Sequence, residues 1–152
     1  MNALAPIALR PALPADYDTI AEIWHAGASL PTVGPAALPP VAVLRARIDA
    51  EFAAGWTVII ALRDGEMVGF AAMKQREAVL DQLFLAPGAV GGGVGRALLD
   101  AVKTAMPEGF TLFTRTGNGT ARRFYEKAGL VARREDIHPR FGDPIVYYGW
   151  SP

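Results

Sequence analysis

Leu80 to Val102 reads LDQLFLAPGAVGGGVGRALLDAV, passing from an apolar run through a glycine cluster into helical periodicity. Val79 to Leu85, apolar except for Asp81 and Gln82, has a strand's length and residues that suit a pleated surface. Pro87 and Gly88 stop it. Gly91, Gly92, Gly93 and Gly95 follow, and Val94, Leu98, Leu99, Val102 and Met106 then recur at helical spacing. The order is strand, glycine turn, helix. Such a turn leaves backbone N–H groups unscreened by Cβ atoms at the positive end of a helix dipole, which suits a phosphate. The alternative is a tight connection that holds no ligand. Two phosphate-binding spacings do not fit. No Lys-Ser or Lys-Thr pair follows the glycines, which excludes GxxxxGK[ST], and the third position of GxGxxG falls on Arg96 or Leu98.

The spacing resembles the acyl-CoA loop of the GCN5-related N-acetyltransferases, whose signature is Arg or Gln, two residues, Gly, one residue, then Gly or Ala. Here it reads Val90-Gly-Gly-Gly93-Val-Gly95, followed by Arg96-Ala97-Leu98-Leu99, with Val90 as the departure. A second stretch, Asn118 to Leu130 (NGTARRFYEKAGL), resembles that family's C-terminal motif through Asn118, Ala121, Phe124, Tyr125 and Gly129. On its own this stretch also reads as an amphipathic helix with a core tyrosine. The two motifs stand at the family's separation, one strand apart. The resemblance implies a cofactor site for acetyl-CoA. Leu83, Phe84 and Leu85 would meet the pantetheine arm, and Gly91, Gly92, Gly93, Val94, Gly95, Arg96 and Ala97 the pyrophosphate. Asn118 and Tyr125 would lie beside them. It also implies that Tyr125 is the general acid toward the departing thiolate.

The 152 residues suit one domain with a sizeable core. About half are hydrophobic (51%), and a slightly positive mean hydropathy excludes a disordered chain. A formal net charge of zero argues against a nucleic-acid binder. With no cysteine there is no disulfide, thiolate metal site or cysteine nucleophile, and a reducing cytoplasm is compatible. The first residues, MNALAPIALRPALPAD, put no basic region before an apolar run and read as neither signal peptide nor anchor.

Along the chain, Ile7 to Arg10 suits a first strand, and Pro14, Asp16 and Asp18 the start of a helix carrying Tyr17, Ile20, Ile23 and Trp24 to Gly27. Ser29 to Pro40 is a proline-rich loop. Val41, Leu44, Ile48 and Phe52 mark a second helix closed by Gly55. Trp56 to Leu62, Met67 to Lys74 and Val79 to Leu85 form a meander, the first turn being Arg63-Asp-Gly65-Glu66. Phe110 to Thr114, the Asn118 helix, Leu130 to Arg134 and Ile145 to Trp150 complete the chain. The fold class expected is α/β: one acyl-CoA N-acyltransferase domain over 1–152, with a mixed, mostly antiparallel sheet flanked by helices.

Among isolated candidates, Asp81 interrupts an apolar strand before the cofactor end. It reads either as a general base, direct or through water, or as a side chain bonded on the outer sheet face. An alkyl ammonium near 10.4 facing an ordinary Asp near 3.9 opposes direct transfer by ~6.5 units, about 9 kcal/mol. A neutral amine, a raised Asp81 pKa or a water relay is therefore required. Trp24, His25 and Tyr147 are expected at the acceptor pocket, together with the Ser29–Pro40 loop; for His25 a half-exposed helix end is the competing reading. His138, beside Glu135, Asp136 and Asp143, reads as a solvated turn rather than a metal ligand, and no metal site is expected. Arg122-Arg123 and Arg133-Arg134 read as solvated faces, with Arg96, Arg122 or Arg123 as further phosphate contacts. The expected reaction is acetyl or short-acyl transfer from acetyl-CoA to a primary amine on a small molecule, by a cytoplasmic monomer or homodimer without nucleic acid or membrane. The rival is a non-catalytic acyl-CoA binding module on the same fold; a weaker third reading is another α/β phosphate-ligand binder.

Overall fold

The computed structural model describes residues 5–89 and 91–152. Strand β1 (Ala8–Pro11) leads through a 3-10 turn at Pro14–Asp16 into helix α1 (Tyr17–Ala28), followed by α2 (Val41–Ala53). Three strands come next, β2 (Thr57–Arg63), β3 (Glu66–Lys74) and β4 (Val79–Leu85). Helix α3 (Val94–Ala105), β5 (Phe110–Arg115), α4 (Gly119–Lys127), β6 (Val131–Ile137) and β7 (Pro144–Trp150) complete the order. Asp64 and Gly65 both take positive φ, 54° and 78°, the primed geometry that Asp-Gly favours. β6 runs beyond Arg134 to Ile137 because Pro144–Tyr147 pairs with its far end. It is an exposed edge strand of charged residues, so no apolar alternation marks its extent.

The seven strands make one sheet in the order β1-β2-β3-β4-β5-β7-β6, antiparallel throughout except between β4 and β5. One face carries α1 and α2, whose Ile20, Trp24, Leu44 and Ile48 pack on Val58, Ile60 and Phe70. The other carries α3, whose Leu98, Leu99 and Val102 are fully buried against Ala71, Met73 and Leu112. Each such leucine contributes about 1.5–3 kcal/mol by leaving water. Among the described residues no helix is long and apolar enough to cross a membrane.

Two departures from regular sheet geometry position the site. The first is a bulge in β4. Ala72 pairs with Gln82 and Met73 with Leu80, leaving Asp81 opposite no residue of β3. In an unbroken strand Asp81 would share the α3 face with Leu83 and Leu85. The extra residue gives that place to Leu80 and turns Asp81 toward Trp56, under α2. The second is a splay. β4 and β5 share a single pair, Val79 with Thr111, anchored where the Thr111 N–H donates to the Ala78 carbonyl at 2.9 Å. Beyond it the two strands separate.

Candidate active site

The gap between β4 and β5 opens into a cavity of about 370 Å³ that Leu80–Phe84 and Leu112–Arg115 line from its two edges. The Ala86 N–H donates to Val68 in the antiparallel partner, so by strand alternation the Leu83 and Leu85 amides point away from β3 and toward the gap. Leu83 and Leu85 carry their side chains to the α3 layer and Phe84 to the α1 layer. Phe84 is met there by Gly27, where a Cβ would come within 2.5 Å of the Phe84 ring. Only glycine lets α1 lie this close to β4, and that approach brings Trp24 and Ala28 over the cavity.

At the far end of β4 the chain turns into α3. Gly93 is the N-cap residue with φ 83°, a left-handed conformation that side chains rarely adopt, and its carbonyl accepts the first helical bond from the Ala97 N–H at 3.0 Å. No side chain caps this end, so the first amides of α3, from Val94 to Arg96, have no acceptor within the helix. Arg63 steadies the turn by donating from Nη2 to the Gly92 carbonyl at 2.8 Å. With no Cβ on Gly91, Gly92 or Gly93 and a helix's positive end behind them, these residues fit a pyrophosphate. Gly95 is glycine for a different reason: a Cβ there would press on the Phe124 ring at 3.3 Å, so α3 and α4 meet at this point. The Arg96 side chain is exposed and faces Asp100 at 3.4 Å. Val90, where the loop signature departs, lies outside the described residues.

Helix α4 supplies the third wall. Asn118 is its N-cap, accepting from the Ala121 N–H at 3.2 Å and donating to Thr114 Oγ1 at 3.4 Å; it lines the cavity while both ends of its amide are engaged. Tyr125, about two turns on, is buried between Phe124 and Tyr148 and borders the same cavity. Burial alone pushes its phenol up to about 12. Arg122 is not a solvated side chain. Its Nε donates to the Tyr148 hydroxyl at 3.0 Å and its Nη1 to the Thr116 carbonyl at 3.1 Å, while the Tyr148 hydroxyl donates to Glu126. Tyr148 belongs to β7, and its buried hydroxyl requires these partners. The guanidinium is committed to the α4–β7 contact.

On the α1–α2 side, Asp81 borders the cavity. Its Oδ2 accepts from Trp56 Nε1 at 2.9 Å and stands 3.9 Å from Lys74 Nζ, so it does not lie on an outer sheet face. Trp24 and the loop residues Val33, Gly34, Pro35, Leu38 and Pro39 line the cavity; His25 and Tyr147 do not. His25 is one residue past Trp24, about 100° around the helix, and is half-exposed. Tyr147 packs on Phe113 with ring centres 5.7 Å apart and planes tilted by 58°, the Arg134 guanidinium lies over its ring at 4.1 Å, and Phe113, one strand nearer, takes the place on the wall.

The β6–β7 loop forms the rest of this wall through His138, Pro139, Arg140 and Phe141, joined by Arg47 and Glu51 of α2. His138 Nδ1 accepts the backbone N–H groups of Arg140 and Phe141, each at 3.1 Å, which leaves its proton on Nε2. Burial, followed by the Arg115 charge, lowers its pKa and keeps it neutral. It is a folded loop anchor rather than a solvated turn. Among the described residues no three His, Cys, Asp or Glu side chains gather as a metal cluster would. Arg47 and Glu51 stand at i+3 and i+7 from buried Leu44, a charged pair on an inward stripe. That spacing is the signal by which the sequence marks them.

A family model described as an acetyltransferase (GNAT) domain matches residues 31–139. Among solved structures, one described as a GCN5-related N-acetyltransferase: aminotransferase, class-II, from Rhodopseudomonas palustris is 26% identical with a TM-score of 0.78, covering 100% of this chain and 99% of that one. YncA of Salmonella typhimurium, solved with its cofactor acetyl-CoA, is similar in fold at 15% identity and a TM-score of 0.73, covering 95% and 93%. A phosphinothricin acetyltransferase from Sinorhizobium meliloti in complex with acetyl-CoA gives 18% identity and 0.74, covering 95% and 88%. No curated protein sequence matches the chain. The family model spans most of the chain, including the α2 wall, the splayed strands, the glycine turn and α4, and the chain belongs to the GCN5-related N-acetyltransferase (GNAT) family.

Proposed function

We propose that residues 1–152 act as one N-acetyltransferase domain, moving an acetyl or related short acyl group from acetyl-CoA to the primary amine of a small molecule in the cytoplasm. The observation that carries this reading is that one cavity joins the free edge of β4, leading to the uncapped start of α3, to the Tyr125 phenol and Asp81. Acetyl-CoA supplies the activated acyl carbonyl and a thiol leaving group. The Leu83 and Leu85 amides bind the pantetheine arm as a further strand would, and the Gly91–Ala97 turn holds the pyrophosphate. Acyl transfer forms a nitrogen–carbon bond, breaks a carbon–sulfur bond, and leaves one proton to be removed from nitrogen and one to be met at sulfur. Tyr125 stands on the sulfur side and donates a hydrogen bond to the developing thiolate. Asp81 stands on the nitrogen side. Trp56 occupies Oδ2, so the proton reaches this carboxylate through Oδ1 and an intervening water.

Two measurements test the reading. Acetyl-CoA at a hundred times its dissociation constant stabilises the fold by about 2.7 kcal/mol, seen as a raised Tm that CoA reproduces and an adenine nucleotide alone does not. Free thiol is released from acetyl-CoA when a panel of amines is supplied. A raised Tm with no thiol released by any amine identifies a binding module instead. Equal competition by adenine nucleotide removes the acyl-CoA assignment altogether.

A further inference from the structure

The acceptor half of the cavity carries charge that the proposed acyl transfer does not use. Four cations line it, Arg47, Lys74, Arg115 and Arg140. Two have carboxylate partners: Arg115 pairs with Asp143, and Lys74 stands 3.4 Å from Glu51 and 3.9 Å from Asp81. Arg47 and Arg140 have none among the described residues. Glu51 is one helical turn from Arg47 on α2, a spacing at which such residues commonly pair, yet it faces Lys74 instead. Arg47 is half-buried, with its guanidinium 5.0 Å from the Trp24 ring centre. Burial first, and then the like charge of Arg140, lower its pKa, while the charges of Glu51 and Asp81 act the other way without forming an ion pair with it. A half-buried cation sharing a cavity wall with a second cation, neither with a carboxylate partner among the described residues, is an arrangement that a bound anion relieves. Glu51 borders the same cavity, and its buried Oε2 has Lys74 Nζ at 3.4 Å and no well-aligned hydrogen-bond donor among the described residues.

We infer that the amine acceptor carries a carboxylate, which Arg47 and Arg140 bind over Trp24 while its ammonium end enters beside Glu51 and Asp81. This inference rests on the transferase reading above and narrows its substrate class to small amino acids. Trp24 flattens one side of the anion site, where a guanidinium held over an indole can turn its N–H fork to a planar carboxylate. The enclosing proline loop and the His138–Phe141 loop limit the acceptor to a small molecule. The unpaired cations disfavour diamines and polyamines, whose second ammonium would meet them.

The experiment uses matched amines: a panel of α-amino acids, their carboxamides and their decarboxylated amines, and the series glycine, β-alanine and 4-aminobutyrate against propylamine and putrescine. Thiol release from acetyl-CoA is followed in the wild type, Arg47→Gln, Arg47→Lys and Arg140→Gln. The expected result is a best acid whose kcat/KM exceeds that of its carboxamide by about 10–100-fold, the size of a charged hydrogen-bonded contact. Arg47→Gln raises KM for the acid and collapses that preference toward unity, and Arg47→Lys restores part of it. Acetyl-CoA raises Tm in all three variants, which separates a lost anion site from a lost fold. Carboxamides or putrescine turned over as well as the acids, or a preference unmoved by Arg47→Gln, overturns the inference and leaves the transferase reading standing. If no amine releases thiol, the transferase reading fails. The inference then requires saturable change in tryptophan fluorescence on adding the acids, lost in Arg47→Gln, and its absence overturns the anion site as well.

Discussion

In the proposed transfer Tyr125 and Asp81 are the two side chains that carry the chemistry, and their surroundings constrain what each does. With ordinary values, a phenol near 10 protonating a thiolate near 8.5 works against ~1.5 units, about 2 kcal/mol. Burial has pushed Tyr125 up to about 12, which widens the gap to ~3.5 units, about 5 kcal/mol. Outright proton transfer becomes a poor bargain, and a hydrogen bond that stabilises charge on sulfur is the role left. Tyr125→Phe keeps the ring between Phe124 and Tyr148, so Tm and the acetyl-CoA shift should stay near wild type while kcat falls about 10²–10³-fold. The pH profile carries the sign. A donor must be protonated, and this one deprotonates only as pH passes about 12, so kcat should hold its plateau through about pH 10. An alkaline limb near pH 10 or below that vanishes in Tyr125→Phe would show a phenol of ordinary or greater acidity and defeat this account. For Asp81 the test is the amine's own ionisation. Asp81→Asn retains an acceptor for Trp56, and its loss of rate, about 10²-fold near neutrality, should shrink as rising pH supplies neutral amine. A deficit constant with pH would make Asp81 a positioning residue.

At the scale of elements, the site depends on a helix brought close to a strand. α1 approaches β4 at Gly27, where a Cβ would sit 2.5 Å from the Phe84 ring. Gly27→Ala must displace either Phe84, a cavity residue, or the end of α1 that carries Trp24 and Ala28 over the cavity. Overpacking of this kind costs about 1–3 kcal/mol, read as a lower midpoint in urea, and KM for the amine should rise more than KM for acetyl-CoA. A variant with both constants unchanged would mean that this contact does not set the acceptor wall. The same contact shows what a sequence conceals. Gly27 reads as a helix end, and its real constraint is a ring some 57 residues away in β4. The glycine turn was legible because its residues are contiguous: the strand limits Val79 to Leu85, the turn and the α3 stripe all stand where local periodicity put them. Asp81 was legible as an oddity and not as a direction. VLDQLFL alternates as well with the acid on either face, and only the pairing of Ala72 with Gln82 and Met73 with Leu80 fixes the bulge that turns it toward Trp56. Tyr147 was misplaced for a related reason, since the strand β5 that screens it from the cavity becomes its neighbour only in the folded sheet.

For the whole molecule, the sheet is continuous across seven strands and yet nearly cut in two where β4 meets β5 at one pair. Antiparallel ladders hold each half together, while α3 and the shared core of Leu80, Leu98, Val102, Leu112 and Val146 join them. Charged residues from α2, β3, β5 and the β6–β7 loop meet across this division at the cavity, and no local pattern in the chain foretells their company. An open seam leaves strand-edge amides exposed inside a folded protein, a costly arrangement unless water or a ligand satisfies them. The Leu83 and Leu85 amides are such groups, since alternation directs them away from β3, whereas the Ala86 N–H is tied to Val68 at 2.9 Å. Amide hydrogen exchange therefore separates an acyl-CoA seam from a seam that is merely a packing defect. Without ligand, Leu83 and Leu85 should exchange faster than Phe84, which faces the β3 ladder from the same strand. Acetyl-CoA should slow Leu83 and Leu85 selectively, along with the first amides of α3, and leave the β2–β3 ladder almost unchanged. Protection spread evenly over the sheet would signify general stabilisation instead, and protection at α3 without Leu83 and Leu85 would place the phosphates at the turn but the pantetheine arm outside the seam.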